Sequence, residues 1–262
     1  MTMNGKYMLL AIDIGNTNSV FSLFEGDKMR NSWRCQTQPS RPCDEYAGFL
    51  SPLLALEKIE WGKICEVIIS SVVPDSNIHI ERFCKKYTHC EAIFIQADIC
   101  GLTIDLDTPE EIGADRLVNA VAASHHYSLP AIIVDFGTAT TFDVVDEGNV
   151  YRGGVIAPGV HLSISALANN TAKLSQIMVE KPDKIIGKST KQAMQSGMYW
   201  GYIGLINEII GKIKDEMGKE PVVIATGGLA SLYAQSTDTI DHVDEDLISK
   251  GLLQIYKMKK ST

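Results

Sequence analysis

Four short motifs in this 262-residue chain hold residue types that can do chemistry. Asp13-Ile14-Gly15-Asn16-Thr17 and Asp135-Phe136-Gly137-Thr138-Ala139-Thr140-Thr141 each set a carboxylate two positions before a glycine and hydroxyls after it. A glycine where a strand turns back permits φ > 0 and lets backbone N–H groups approach a ligand. With hydroxyl donors beside them, such turns suit a polyphosphate, and an aspartate at a strand end can hold a cation or its water nearby. Gly113-Ala114-Asp115-Arg116 pairs a carboxylate with a guanidinium, and Gly187-Lys188-Ser189-Thr190 leads into a long helical pattern. A single D-x-G is ordinary hairpin punctuation, and a lone Asp-Arg pair is ordinary at a solvated helix start. Two matched D-x-G copies, with Gly227-Gly228 after a buried run, favour the phosphate reading. Neither G-x-x-x-x-G-K-[ST] nor G-x-G-x-x-G occurs, so the P-loop and the dinucleotide fingerprint have no support.

The elements that must carry these motifs alternate between strand and helix. Strand patterns run over 7–14, 19–24, 28–34, 67–73 and 91–95, then over 131–135, 140–145, 150–156 and 222–226. Helical patterns are expected over 43–59, with Pro52 breaking or offsetting it, and from Pro74 to about Tyr87. Another is expected from Pro109 to about His126, with acids in its first turn as the helix dipole prefers. A fourth runs over 194–217, with Ile206, Ile209, Ile210 and Ile213 on one face, and a last follows Asp244. The two D-x-G motifs stand 122 positions apart, and the same offset sets Glu25-Gly26 on Glu147-Gly148. Each copy reads strand, D-x-G turn, strand, E-G turn, strand, and a buried strand returns later in each half. That pattern predicts an ancient duplication.

Composition bounds the function classes. Lys+Arg number 24 against Asp+Glu 32, a net charge of −8 that argues against broad nucleic-acid binding. No apolar run reaches the length of a membrane span, and the run 7–12 is ended too soon by Asp13 for a signal peptide. The six cysteines, Cys35, Cys43, Cys65, Cys84, Cys90 and Cys100, contain no C-x-x-C pair and are expected to be mostly buried free thiols in a reducing cytoplasm. His125-His126 reads as a helix-end dipole partner; His161 lies nearer the second loop. Trp33, Trp61 and Trp200 read as packing residues, Trp200 also as a candidate for a subunit interface.

The stretches 13–28 (DIGNTNSVFSLFEGDK), 110–123 (EEIGADRLVNAVAA), 132–159 (IIVDFGTATTFDVVDEGNVYRGGVIAPG) and 225–230 (ATGGLA) resemble the type III pantothenate kinases, a family of the actin, sugar kinase and acetate kinase superfamily. The resemblance covers nearly the whole chain. It implies an α/β fold of two duplicated ribonuclease-H-like lobes (the actin-like ATPase fold), each a mixed five-stranded sheet flanked by helices. One lobe would span 1–128 and the other 129–262, the second holding the adenosine-side Gly-Gly and a dimer helix. It implies ATP-dependent phosphorylation of pantothenate to 4'-phosphopantothenate, the first step of coenzyme A synthesis, in a cytoplasmic homodimer with a composite site. No nucleic-acid or membrane partner is implied.

Site roles follow from the same resemblance. Asp13, Ile14, Gly15, Asn16, Thr17, Asn18, Ser19 and Val20 match the first ATP loop, with Asp13 holding Mg²⁺ through water. Thr138 matches the ATP contact of the second loop, and Asp135 the ligand of a monovalent cation, K⁺ or NH₄⁺. Gly113, Ala114, Asp115 and Arg116 match the substrate signature, with Asp115 as general base, and Thr190 matches a substrate contact given by the other subunit. Leu106 stands where the family often has a tyrosine, which puts one substrate contact in doubt. The alternatives are a regulatory or accessory binding protein of the same fold, or a kinase for another small alcohol or acid; G-A-D-R speaks against a sugar kinase.

Overall fold

The structure is a computed structural model and describes residues 7–170 and 177–261. Along the chain run β1 (Met8–Ile14), β2 (Asn18–Glu25), β3 (Lys28–Gln36), α1 (Cys43–Leu56), β4 (Ile64–Ser71), α2 (Pro74–Phe83), β5 (Ala92–Phe94), β6 (Thr103–Ile104) and α3 (Ala114–His126). There follow β7 (Ala131–Phe136), β8 (Ala139–Val145), β9 (Val150–Pro158), α4 (Val160–Asn169), α5 (Thr190–Met217), β10 (Val222–Gly227), α6 (Ala230–Ala234), β11 (His242–Val243) and α7 (Leu247–Ser261). They divide into two compact units. The first takes the chain up to Leu102, Thr108–Ala122 and the chain from Ile248 on; the second takes Thr103–Asp107 and Ala123–Leu247. The units therefore do not follow a single cut after residue 128. The short segment of β6 joins the second unit because it pairs with β9, and α7 returns to the first.

The first unit holds a five-stranded sheet in the order β3-β2-β1-β4-β5. The second holds β11-β10-β7-β8-β9-β6. Read from the hairpin edge, five strands of the second sheet repeat the order of the first, and β6 adds an edge strand beyond β9. In each sheet the first strand pairs antiparallel with the second and parallel with the returning strand, β4 or β10. The duplication expected from the D-x-G offset is thus a repeat of topology. The second turn differs between copies. Gly26 takes the left-handed conformation in a two-residue loop, whereas Asn149 takes it in the longer loop between β8 and β9.

One face of the first sheet is apolar. Leu10, Ile12, Ile14, Val67 and Ile69 pack with Tyr46, Leu50 and Phe83 of α1 and α2. The alternation of a strand sends Ala11, Asp13, Ser22 and Glu66 to the other face. There α7 lies, with Ser249 Oγ 2.7 Å from Ser22 Oγ and Lys260 paired to Glu66. Gly251 of α7 lies so close to α3 that a β-carbon on it would sit 2.2 Å from the Val118 carbonyl oxygen. The second sheet packs Ile132, Val134, Phe142 and Val144 against Ile203, Ile206 and Ile210 of α5, with Tyr233 of α6 stacked on Phe136.

Two helix expectations are corrected. Pro52 lies inside α1 without ending it. Pro52 and Gly48 are both exposed, so water can reach the carbonyl that loses its donor. Pro109–Glu111 forms a separate 3₁₀ turn, and α3 starts only at Ala114, after Ile112 in extended conformation. No two of the six cysteines are bridged; only Cys84 and Cys100 are buried, fewer than expected. Trp61 packs edge-on to Phe83, and Trp200 edge-on to Tyr199. No helix among the described residues is long and apolar enough to cross a membrane.

Candidate functional site

Asp13 is the penultimate residue of β1, with Val20 of β2 on one side and Ser70 of β4 on the other. The chain then turns over Asn16 and Thr17. The Gly15 N–H donates to the Asn18 carbonyl at 3.0 Å, and the Thr17 carbonyl accepts from the Thr37 N–H at 2.9 Å. Asn16, Thr17 and Asn18 are exposed, while Ser19 is fully buried with its hydroxyl 2.8 Å from that of Thr37. Of the eight residues expected in this loop, Asn16, Thr17 and Asn18 lie at the surface beside Gly15, and Ile14 and Ser19 are buried beneath them.

The substrate motif belongs to the same unit. Because α3 starts at Ala114, Asp115 lies in the first helical turn, where free backbone N–H groups and the dipole favour an anion. Its Oδ1 accepts from the Arg116 N–H at 2.8 Å. Gly113 leaves room for that carboxylate, since a β-carbon there would fall 2.5 Å from Asp115 Oδ1. The same position lies 3.6 Å from Val72, and the Val72 N–H donates to the Ile14 carbonyl at 3.0 Å. Gly113 is therefore seated on the ends of β1 and β4, where Asp13 stands. Burial pushes the Asp115 carboxyl above its ordinary value of 3.8, against the opposing pull of the Arg116 backbone N–H and guanidinium.

In the second unit Asp135 repeats the place of Asp13, one residue before the end of β7, with Thr141 on one side and Thr226 on the other. The Gly137 N–H donates to the Ala139 carbonyl at 3.0 Å, and Gly137 and Thr138 are exposed at the turn. Two glycines make this loop possible: Gly159, to which the motif reading gave no role, and Gly227 of the Gly-Gly pair. A β-carbon on Gly159 would lie 2.1 Å from the Thr138 carbonyl oxygen. Gly227 has φ +88°, and a β-carbon there would lie 2.6 Å from Asp135 Oδ1 and 2.7 Å from the Phe136 nitrogen. A-P-G at the end of β9 is the signal that could have given Gly159 its role. Gly227→Ala combines left-handed strain with a displaced Asp135, so it is expected to cost roughly 1–3 kcal/mol of stability, read as a lower urea midpoint at unchanged slope.

Thr190 is the first residue of α5, exposed, and behind the Ser189 cap whose hydroxyl accepts from the Gln192 N–H at 3.2 Å. Leu106 packs over Gly153 of the same unit, 3.2 Å from where a β-carbon would be. His161 is exposed in the first turn of α4. A cavity of about 530 Å³ in the second unit, walled by Arg152, Glu147, Ile213 and Met217, contains none of the candidate site residues. One of about 390 Å³ in the first unit, walled by Ile95, Pro109, Ile112, Ala114 and Leu117, adjoins the head of α3.

The donor sets fit hard cations. Among the described residues no three acidic, histidine or cysteine side chains form a metal cage. Magnesium binds through one or two carboxylates, waters and substrate phosphates, and Asp13 at the head of the first loop supplies one such carboxylate. The cradle that Gly227 leaves at Asp135 suits an ion held by a single carboxylate and nearby oxygens.

The family profile described as type III pantothenate kinase matches residues 9–212. A type III pantothenate kinase of Paramagnetospirillum magneticum is 48% identical over 252 residues, covering 95% of this chain and 97% of the relative. Among solved structures, one described as a conserved Baf family transcriptional activator from Campylobacter jejuni is similar with TM-score 0.61 at 20% identity, covering 97% of this chain and 100% of that one. The ROK hexokinase from Thermus thermophilus is similar with TM-score 0.51 at 12% identity, covering 97% of this chain and 100% of that one. At such identities the two structures establish the fold alone, that of the actin-like kinases.

Proposed function

The chain belongs to the type III pantothenate kinases, and from that premise we propose which of its residues carry the reaction. The enzyme phosphorylates pantothenate with ATP and Mg²⁺ in the synthesis of coenzyme A. In our reading the first loop, Asp13 to Val20, holds the ATP phosphates by its turn N–H groups and the Thr17 hydroxyl, with Asp13 orienting a magnesium-bound water. Thr138 holds the nucleotide from the second loop. Asp135 holds K⁺ or NH₄⁺. The cations offset phosphate charge when bound.

Asp115 is the general base that takes the proton of the attacking pantothenate hydroxyl. The observation that carries this assignment is its place: a carboxylate in the first turn of α3, buried enough to be raised in pKa, on a helix seated at the end of β1. A raised carboxyl is a stronger base than a solvated one. Gly113 and Ala114 bring the backbone close, and Arg116 offers donors to a polar or anionic group of the substrate. The net charge of −8 gives no attraction for anionic substrates, so local donors and cations supply it.

We read the enzyme as a cytoplasmic homodimer in which Thr190 serves the partner's site, with no nucleic-acid or membrane partner. Exposed Ile156, Leu162, Met178, Ile185 and Ile186 support the dimer, and the last two lie just before Thr190. A partner copy that covered them would hold the head of α5 at its own surface. The test is an ADP-release assay with pantothenate, sugars or acetate as acceptor. Release with pantothenate alone is the expected result; release with a sugar or acetate and none with pantothenate would overturn the substrate.

A further inference from the structure

Ser70 is fully buried, and its hydroxyl has no hydrogen-bond partner among the described residues. An unsatisfied buried hydroxyl costs on the order of 1–3 kcal/mol, so its retention needs a reason. Its place in the sheet supplies one. Ser70 is the parallel partner of Asp13, on strands about 4.8 Å apart. Val67 and Ile69 face the apolar core, so Ser70 faces the other way, as Asp13 does. The second unit repeats the arrangement independently: Thr226 of β10 is the parallel partner of Asp135. A hydroxyl residue thus stands beside the loop aspartate in both copies, at the same place in the topology.

We propose that Ser70 is a positioning residue for Asp13. When nucleotide and magnesium load, its O–H donates to the Asp13 carboxylate and fixes which oxygen faces the first loop. The proposal rests on the reading of Asp13 as the residue that holds magnesium through water. Ser71 cannot substitute, because its hydroxyl is engaged locally, accepting from the Val73 N–H at 3.3 Å.

The test compares the full-length enzyme with Ser70→Ala, Ser70→Thr and Asp13→Asn. Three readouts are needed: melting temperature without ligand, ATP affinity by calorimetry in EDTA and across a Mg²⁺ titration, and kcat across the same titration. Ser70→Ala removes a hydroxyl with no partner among the described residues, so its melting temperature is expected to stay level or rise, and ATP binding in EDTA to stay unchanged. The Mg²⁺ concentration for half-maximal effect is expected to rise about 10- to 100-fold, as when groups behind a metal ligand are removed. Ser70→Thr, which copies the residue beside Asp135, is expected to restore the wild-type titration. A Ser70→Ala enzyme that titrates like wild type overturns the proposal, and does so without touching the reading of Asp13 if Asp13→Asn loses the Mg²⁺ effect. An Asp13→Asn enzyme that still titrates like wild type overturns both. A Ser70→Ala enzyme that melts lower and weakens ATP equally with and without Mg²⁺ has lost a structural hydroxyl, which also overturns the proposal.

Discussion

Asp115→Asn is expected to lower kcat by about 10²–10⁴-fold, the usual worth of a positioned general base, while ATP still binds. Asparagine keeps an oxygen that can accept from the Arg116 N–H, so the first turn of α3 is preserved. What is lost is the ability to take the proton. The sign of the stability effect separates this from damage to the fold. Burial raises the Asp115 carboxyl above 3.8, so the folded state binds that proton more readily than the unfolded chain does. Its contribution to stability is greatest at low pH and declines as pH rises from 3.8 through the raised folded value. Ionising the buried side chain costs the fold, and the neutral amide removes that cost. The variant should therefore melt at the same temperature as wild type or higher. The acid limb of the wild-type kcat/KM profile should lie above 3.8 and vanish from the residual activity of the variant. A variant with normal turnover, or one that loses activity only because it has lost stability, would remove Asp115 from the base role.

The parts of the molecule legible in the sequence are those set by local pattern. The strands that carry Asp13 and Asp135 read clearly because alternation, turn glycines and a shared offset agree. The sheet orders then turned that repeat into a topological one. Strands of two residues, β6 and β11, leave no pattern to read. The head of α3 was misplaced because Pro109, Glu110 and Glu111 are good helix-start residues, and they do start a helical turn, but a 3₁₀ one. Gly113 ends that extension, and the difference moves Asp115 from the second turn of a longer helix to the first turn of α3. The division into units was beyond local reading, since α7 returns to the first sheet through contacts such as Ser22–Ser249. Ser70, and the contact of Gly227 with Asp135, escaped for a related reason. The run 67–73 and the T-G-G after β10 show that a strand is buried, not which residue stands beside an aspartate that is distant in sequence. Parallel register is a tertiary fact.

The same register governs the second large effect. Asp135→Ala is expected to abolish the response to K⁺ or NH₄⁺ and to lower kcat on the order of 10²-fold, comparable with removing one preorganised charge-stabilising group. Asp135 stands between Thr141 and Thr226, and its Oδ1 packs into the space that a β-carbon on Gly227 would take. One carboxylate supplies one negative charge, enough to favour a monovalent cation, and Asp135→Ala removes that charge. The readout need not depend on turnover. Ligands that bind only the folded state raise its melting temperature by mass action. In the presence of ATP, wild type should melt higher in K⁺ than in Na⁺ at equal ionic strength, and Asp135→Ala should melt alike in both. Gly227→Ala provides the geometric control: it keeps the carboxylate but pushes it from its seat, so it should lose the K⁺ difference as well. If wild type turns over equally fast in Na⁺ and K⁺ and melts alike in both, Asp135 holds no activating ion. If K⁺ still acts on Asp135→Ala, the ion is bound elsewhere.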